Sequence, residues 1–129
     1  MVAAVDWYHE RLLTGEDAGA ARRYLRDRGF NGDRVRRYKL GWAPDDWDQL
    51  VRDLDFPAKV LRDAGLGRES KRGGTNDFFR ARVLFPIFDV QGDPIGFGGR
   101  MMPEGRPPKY QNTPETNLYR KSKVLYGLN

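Results

Sequence analysis

The sequence predicts an α+β domain in which a helical first half packs on a mixed, strongly twisted β-sheet formed by the second half. Apolar residues recur at helical spacing up to about residue 66, whereas apolar and polar residues alternate between glycine-rich turns in the remainder. With 129 residues and 39% hydrophobic content, the chain is long enough to bury a core of its own. We therefore predict one domain over residues 1–129, mainly helical over 1–66 and mainly β over 67–129.

Five short helices are predicted in the first half. Their apolar stripes lie at residues 5–12, 18–25, 31–38, 47–54 and 60–64. We expect Gly29 to end the second helix, Asp45 to cap the fourth and Pro57 to open the fifth. Trp47 begins the clearest stripe and is therefore expected in the core, while residues 40–44 form an extended connector.

A β-hairpin is the main feature predicted for the second half. Residues 78–88 and 94–100 form its strands and residues 91–93 its turn, whereas the polar residues 67–76 form a mobile loop. Because side chains alternate along a strand, we expect Arg80 and Arg82 to point outward from the same face.

Three glycines, Gly96, Gly98 and Gly99, lie on the second strand of this hairpin. Their spacing does not fit the dinucleotide-binding fingerprint, because no third glycine follows at the required position and no helix begins after them. A strand with three positions that carry no side chain indicates that another backbone, or a nucleic-acid strand, approaches it closely.

The net charge of +5 is distributed unevenly along the sequence. Residues 1–65 contain 12 lysine and arginine residues and 12 acidic residues, while residues 66–129 contain 11 and 6. The whole excess belongs to the second half, which indicates an anionic partner for one part of the domain.

The stretch over residues 109–123 combines the groups that suit a polyanion carrying flat bases. These groups are Lys109, Tyr110, Asn112, Tyr119, Arg120, Lys121 and Lys123. Cations neutralise phosphates, and aromatic rings stack with bases for about 1–3 kcal/mol each. We expect Thr113 and Pro114 to start a short helix over residues 114–123 that carries Lys121.

Composition argues against several classes of protein. The chain has no cysteine and a single histidine, His9, so neither disulfides nor a closed zinc site are expected. No apolar run reaches the ~20 residues of a membrane span, and the N-terminus does not resemble a secretory signal. No carboxylate cluster suited to Mg²⁺ is evident. We predict a cytoplasmic protein that binds no metal by itself.

Seven short blocks of sequence, taken in order, resemble one family. They are ARRYL at 21–25, LGWAP at 40–44, AGL at 64–66, RARVLFPI at 80–87, IGFGGR at 95–100, KYQNTPET at 109–116, and Lys121 followed by LYG at 125–127. Over roughly residues 5–129 the chain resembles the N-terminal subdomain of the RNA polymerase core of bacterial-type DNA primases (DnaG).

The resemblance implies a DNA-directed RNA polymerase that makes short primers on single-stranded DNA during replication. In that family an adjoining topoisomerase–primase (Toprim) domain holds catalytic Mg²⁺ or Mn²⁺, an N-terminal ribbon holds Zn²⁺, and the template lies in a basic groove. Neither of those domains is recognisable in this sequence, so we expect an excised fragment that binds nucleic acid but does not polymerise alone. The implied partners are single-stranded DNA, nucleoside triphosphates, the Toprim domain and, through absent regions, the replicative helicase of the nucleoid-associated replisome; no membrane partner is implied.

Eight residues match template- or nucleotide-contacting positions of the family. The catalytic set is Arg100, Lys109 and Lys121, the nucleotide-binding set is Arg100, Lys109, Tyr110 and Asn112, and the template-binding set is Arg22, Arg80 and Arg82. Fixed cations at such positions neutralise the negative charge that develops during nucleotide transfer. We expect the cations to converge on a single concave wall.

Two other functions fit the same residues. The first is a stand-alone single-stranded nucleic-acid binding module without catalysis, and the second is a non-enzymatic domain that docks a protein partner on residues 42–54. Primer synthesis gained on joining the chain to a Toprim domain separates a primase from the first. Failure to bind single-stranded DNA at low salt favours the second.

Overall fold

The computed structural model describes residues 1–71, 73–102, 108–113 and 124–126. This part of the chain contains five α-helices, a 3₁₀ turn at Glu16–Ala18 and seven strands. Helices α1 to α5 span Val2–Thr14, Gly19–Asp27, Gly32–Arg37, Gln49–Leu54 and Ala58–Asp63. Strands β1 to β7 span Gly41–Ala43, Gly67–Glu69, Thr75–Asp77, Arg82–Asp89, Pro94–Met101, Tyr110–Asn112 and Val124–Tyr126. The predicted α+β class is confirmed.

The larger sheet has the strand order β1-β4-β5-β6, and β7 also pairs with β4. β1 pairs with the first residues of β4 and β7 with its last residues, so both lie along one edge of that strand. The sequence predicts a mixed sheet, and each pairing that the structure describes is antiparallel. Residues 40–44 are extended as predicted, but they contribute a strand of the sheet rather than a simple connector.

Strand β4 is buried on both faces, because alternate residues enter two different cores. Leu84 packs with Phe97 in a core beneath α1, whereas Val83 packs with Trp42 in a core beneath α2. We call the side that carries Leu84 the α1 face and the side that carries Val83 the α2 face. Arg82 alternates with Val83 and is only 4% exposed, so the prediction that it points outward is wrong.

Helix α1 forms because its apolar residues recur on one side. Val5, Tyr8 and Leu12 are buried, as their spacing predicts, and Ala4 is buried beside them. A Cβ added at Gly41 would lie 2.7 Å from the Cβ of Tyr8. The glycine therefore allows α1 to pack directly on β1, and each large side chain buried there contributes about 1.5–3 kcal/mol.

Helices α2 and α3 pack beside each other against the α2 face. Tyr24 and Leu25 of α2 and Val35 of α3 are buried in the same core as Val83. Gly29 has φ +88° just after α2, as expected for a helix-terminating glycine. The Asn31 side chain accepts a hydrogen bond from the Arg34 backbone N–H at 3.0 Å and begins α3.

Helix α4 begins at Gln49, and its cap comes from a distant strand. Both carboxylate oxygens of Asp77 accept backbone hydrogen bonds at 3.0 Å, one from Leu50 and one from Val51. The prediction that Asp45 caps this helix is wrong. Burial raises the pKa of the Asp77 carboxyl to about 6, although the two backbone hydrogen bonds oppose that rise.

The predicted mobile loop at residues 67–76 is instead largely the antiparallel β2–β3 hairpin, with Gly67 opposite Asp77. Its turn contains Gly73 and Gly74, whose φ values are +92° and +77°. The Ser70 backbone N–H donates to the Gly74 carbonyl at 2.9 Å and closes the turn. None of the helices in the described ranges has the length and hydropathy needed to cross a membrane.

Candidate nucleic-acid interface

Strands β5 and β6 place three of the predicted site residues on the α2 face. Arg100 pairs with Val83 on one side and with Tyr110 on the other, and Gly98 pairs with Asn112. Because directly paired residues point to the same face of a sheet, Arg100, Tyr110 and Asn112 share the α2 face. The last two are exposed.

Five side chains alternate between cations and aromatic rings around Arg100 and Tyr110. The Cζ of Arg28 lies 4.1 Å from the ring centroid of Tyr24. Arg100 lies 5.6 Å from the same ring and 5.1 Å from the ring of Tyr110, and it donates a hydrogen bond to the Tyr110 hydroxyl. Lys109 follows, with its Nζ 5.9 Å from the Tyr110 ring. We call the series Arg28, Tyr24, Arg100, Tyr110 and Lys109 the cation–aromatic ladder.

The two aromatic rungs of the ladder differ in exposure. Tyr24 is 8% exposed and its ring belongs to the core, whereas Tyr110 is 61% exposed. A cation over an aromatic ring contributes about 0.5–1 kcal/mol at an exposed site and up to about 2 kcal/mol when water is excluded. Tyr24 therefore fixes Arg100 from the inside, and the Tyr110 ring remains available to stack with a ligand.

Hydrogen bonds at both ends hold β6 in position. The Met101 backbone N–H donates to the Lys109 carbonyl at 3.0 Å. At the other end the Thr113 hydroxyl accepts from the Phe97 N–H at 2.6 Å and donates to the Phe97 carbonyl at 3.1 Å. Thr113 is thus buried in the β5–β6 contact, and the helix that we expect it to start, at residues 114–123, lies outside the described residues.

The glycines of β5 serve contacts within the domain. A Cβ at Gly99 would lie 3.1 Å from both Leu84 and Phe79, and one at Gly98 would lie 3.3 Å from the Asn112 side-chain oxygen. The groups that approach these two glycines are side chains of the protein itself, rather than the second backbone that the sequence predicts. Approach of a nucleic-acid strand remains a prediction.

Arg80 forms a second, separate cation–aromatic pair. Its Cζ lies 5.2 Å from the Trp47 ring, and Trp47 is 48% exposed. The prediction that Trp47 lies in the core is wrong, because α4 begins at Gln49 and Trp47 therefore precedes the helix. Ala81 has φ +53°, which interrupts the strand alternation between Arg80 and Arg82. The prediction that these two arginines are neighbours on one strand face is therefore wrong.

Arg82 lies on the opposite face of the sheet from Arg100. It pairs with Ala43 and Met101, one position out of step with the Val83–Arg100 pair. Burial lowers the pKa of its guanidinium group. Arg100 and Arg82 therefore do not meet on one wall.

Arg22 contacts the end of a neighbouring helix. Its Nη1 donates to the carbonyl oxygens of Leu12 at 2.9 Å and of Gly15 at 3.0 Å, which neutralises the C-terminus of α1. Lys121, the third member of the predicted catalytic set, lies outside the described residues. The structure thus brings together Arg100, Lys109, Tyr110 and Asn112, whereas Arg22 contacts α1, Arg80 contacts Trp47 and Arg82 lies on the other face of the sheet.

Sequence reasoning missed Tyr24 and Arg28. Tyr24 was hidden by its place in an apolar stripe, and Arg28 by its resemblance to an ordinary charged surface residue. Their i, i+4 spacing on α2 is the signal that places the two side chains together. Nothing in the sequence pairs them with Arg100, since that contact depends on the packing of α2 on β5. Among the described residues no three histidine, aspartate or glutamate side chains form a cluster suited to a metal ion.

The fold and the ladder define a class, an α+β domain that presents cations interleaved with an exposed aromatic ring. That composition is typical of surfaces that bind single-stranded nucleic acid. Residues 7–129 match the family described as the DNA primase catalytic core, N-terminal domain. The chain belongs to this family.

Relatives agree with that membership. The DNA primase of Streptomyces coelicolor is 44% identical over 129 residues, which cover 97% of this chain and 20% of that protein. The RNA polymerase domain of Mycobacterium tuberculosis primase DnaG, in complex with a double-stranded DNA oligomer with a 6-nucleotide overhang, superposes with a TM-score of 0.89 at 38% identity, over 98% of this chain and 40% of that one. A DnaG primase catalytic domain bound to ssDNA gives a TM-score of 0.86 at 38% identity, over 98% and 41%. The chain spans about a fifth of the length of the curated relatives that it matches.

Proposed function

We propose that this chain forms one wall of the nucleic-acid groove of a DNA primase, the enzyme that copies single-stranded DNA into short RNA primers. The observation that carries the proposal is the cation–aromatic ladder on the α2 face, in a chain that belongs to the primase core family. The relative bound to ssDNA supports single-stranded DNA as a partner. The proposed place of action is the replication fork in the cytoplasm, with the Toprim domain and the helicase as further partners.

The ladder supplies the two interactions that such a groove needs. Arg100 and Lys109 neutralise phosphates, and the exposed Tyr110 ring stacks on a base. Asn112 lies two residues after Tyr110 in β6 and on the same face of the sheet. Its side-chain amide can donate a hydrogen bond to a base edge or a ribose hydroxyl, or accept one from them. We assign Arg100 and Lys109 to phosphates of the single strand in the groove and, together with Lys121, to the phosphates of the incoming nucleotide.

Nucleotide transfer builds negative charge on the attacked α-phosphate, and preorganised cations lower the energy of that state. Arg100 is preorganised because Tyr24 and Tyr110 hold its guanidinium from two sides. Divalent metal ions, which supply activation of the attacking hydroxyl in such reactions, are proposed to be held by acidic residues of the Toprim domain.

Template contacts are proposed for Arg80 and Arg22. Arg80 is supported by the exposed Trp47 ring beneath it, since an indole and a cation offer stacking and charge to a single strand. Arg22 is exposed, but its Nη1 already donates hydrogen bonds to carbonyl oxygens at the end of α1. The buried Arg82 has little surface to offer a phosphate, so the proposed template contacts do not include it.

Binding of a fluorescein-labelled oligothymidylate to this chain tests the proposal. We expect Arg100→Gln and Lys109→Gln each to weaken binding about 10- to 150-fold at low salt, because a charge-assisted contact is worth about 1.5–3 kcal/mol when it is removed. Each variant is expected to lower the slope of log affinity against log salt by about 0.7, the value for one lost phosphate contact on a single strand.

Arg52→Gln is the matched control, because it removes the same charge from a residue already paired with Asp48 at 2.8 Å. An equal loss in the control would contradict the proposal, since it would indicate a general charge effect. Absence of any binding at low salt would favour a protein-interaction domain instead.

A stand-alone binding module is the second candidate function. It is favoured by the cation–aromatic ladder itself, which offers charge and stacking to a single strand without any catalytic group. Joining the chain to a Toprim domain separates the two, because only a primase subdomain gains primer synthesis. The Arg100→Gln version of the joined protein is then expected to bind template weakly and to synthesise little primer.

A further inference from the structure

The arginines of α2 and α3 form a basic segment that the balanced charge of the first half conceals. Residues 19–39 contain eight lysine and arginine residues and two aspartates. The flanking residues 1–18 contain one basic and four acidic residues, and residues 40–65 contain three and six. The positive charge of the first half is therefore concentrated on two adjacent helices.

These arginines have no carboxylate partners within the described residues. The four ion pairs formed there involve Lys39, Arg52 (twice) and Lys59, and none involves an arginine of α2 or α3. Arg22 and Arg26 also repel each other, because they are four residues apart on one helix. Unbalanced charge of this density destabilises the free domain, and an anionic ligand relieves the repulsion.

Arginines of both helices line a common cavity. Arg22 and Arg26 of α2 and Arg36 of α3 line one cavity of about 270 Å³. Arg34 and Arg37 are exposed on the same short helix. The surface therefore presents several cations over neighbouring positions, as a chain of phosphates requires.

This surface is continuous with the cation–aromatic ladder. Arg28, which directly follows α2, is the first member of the ladder. The ring centroid of Phe30, two residues further on, lies 6.4 Å from that of Phe85. Phe85 is paired with Gly98 of β5, and Gly98 is paired with Asn112 of β6. Helices α2 and α3 thus lie on the same face of the sheet as the ladder.

We propose that the arginines of α2 and α3 are a second phosphate-binding surface, which binds the single-stranded DNA template beyond the nucleotides that the ladder contacts. This inference rests on the proposed function, because it assumes that the ladder binds the same strand. The ladder alone covers a short segment, and the arginines lengthen the site within the range of about 4–16 nucleotides known for single-strand binding surfaces.

Two oligothymidylates, one of about 6 and one of about 18 nucleotides, test this inference with the 129-residue chain. The unaltered chain is expected to bind the longer strand more tightly. The triple variant Arg34→Gln, Arg36→Gln, Arg37→Gln is expected to lose about 10-fold or more of that gain and to lower the salt slope for the longer strand by about 2, since three phosphate contacts are removed. Glutamine is a good helix former, so α3 is retained.

The control is Arg52→Gln, Lys59→Gln, Arg62→Gln on α4 and α5, which removes the same net charge. The control is expected to keep the higher affinity for the longer strand. Part of that difference arises because a longer strand offers more binding registers, and the control retains this part as well. The variant Arg34→Lys, Arg36→Lys, Arg37→Lys is expected to keep the salt slope, because the charges remain. An α3 variant that behaves like the control, or a lysine variant that fails to keep the slope, would overturn the inference.

The outcome for the ladder is distinguishable from the outcome for α3. Arg100→Gln is expected to weaken binding of both strands while the gain with length persists. If Arg100→Gln has no effect and the α3 variant does, the proposed ladder function fails and an independent α2–α3 site is indicated. If Arg100→Gln weakens both strands and the α3 variant leaves the gain unchanged, only the second surface is excluded.

Discussion

The two faces of the central sheet use the same strands for different purposes. On the α1 face, Leu84 and Phe97 are closed under α1 and make contacts within the protein. On the α2 face, Arg100 and Tyr110 are covered only in part and present charge and an aromatic ring. Adjacent residues of one strand therefore differ in role because side chains alternate. We expect substitutions on the α1 face to act on stability and substitutions on the α2 face to act on binding.

The largest expected effect belongs to Phe97→Ala on the α1 face. Its ring packs edge-on against Tyr8 at 5.2 Å and near Phe79 at 6.1 Å, so its removal leaves a cavity and lowers the free energy of unfolding by about 3–5 kcal/mol. Urea denaturation monitored by circular dichroism measures the loss.

Tyr110→Ala is the matched change on the α2 face. It is expected to alter the free energy of unfolding by about 0.5 kcal/mol or less and to weaken binding of single-stranded DNA by about 1–3 kcal/mol. Phe56→Ala controls for loss of an exposed ring outside the ladder. Equal destabilisation by Phe97→Ala and Tyr110→Ala would remove the distinction between the faces.

A smaller effect, which depends on pH, belongs to Asp77 in the core beneath α1. Its folded-state pKa of about 6 exceeds the ordinary value of 3.8, so the folded state binds more protons than the unfolded state between those values. The contribution of this group to the free energy of unfolding therefore falls as pH rises through about 6, by at most about 3 kcal/mol. The negative charges of Asp48 and Asp46 add to the rise. Burial raises the pKa of Tyr8, and the negative charge of Asp77 adds to that rise.

Chemical denaturation of the unaltered chain and of Asp77→Asn between about pH 4 and 7 measures that contribution. The difference in unfolding free energy, unaltered chain minus variant, is expected to fall across this window. The salt slope of DNA binding is expected to be the same for both proteins, because Asp77 is not part of the ladder. A constant difference from pH 4 to 7 would show that the Asp77 carboxyl does not titrate as expected.

The smallest effect is expected at Thr113, which directly follows β6 and hydrogen-bonds to Phe97 of β5. Thr113→Val keeps the shape of the side chain and removes both hydroxyl hydrogen bonds to Phe97. The expected loss is about 1–2 kcal/mol of unfolding free energy. DNA affinity is expected to fall less than tenfold, because β6 and Tyr110 are less firmly held. Thr113→Ser keeps the hydroxyl and is expected to retain most of both; equal losses in the two variants would assign the effect to packing alone.

Local sequence patterns predicted the elements whose causes are local. The stripe of Val5, Tyr8 and Leu12 predicted α1, and Gly29 predicted the end of α2, because helical spacing and a positive φ are properties of a few adjacent residues. The hairpin of β4 and β5 was predicted for the same reason. The cap of α4 was not predicted, because Asp77, which supplies it, lies 27 residues from Leu50 in the sequence.

The candidate site was predicted as a list of residue types rather than as an arrangement. Lys109, Tyr110 and Asn112 are close in sequence and remain close in space, so their grouping was visible from the sequence. Arg82 and Arg100 were grouped as cations, but the pairing of β4 with β5 puts them on opposite faces. A register of one residue decides which face a side chain occupies, and composition contains no information about register.

The sequence by itself determined that this protein is a basic α+β domain with cations and tyrosines suited to a nucleic acid, because charge, periodicity and residue type are properties of the chain. Only the tertiary structure decided that Tyr24 of α2 meets Arg100, and that Arg36 of α3 lines a cavity with Arg22 and Arg26. Those contacts arise where a helix packs on a strand about 75 residues away, and the packing of two apolar surfaces, rather than any local preference, selects which polar groups meet at their edge.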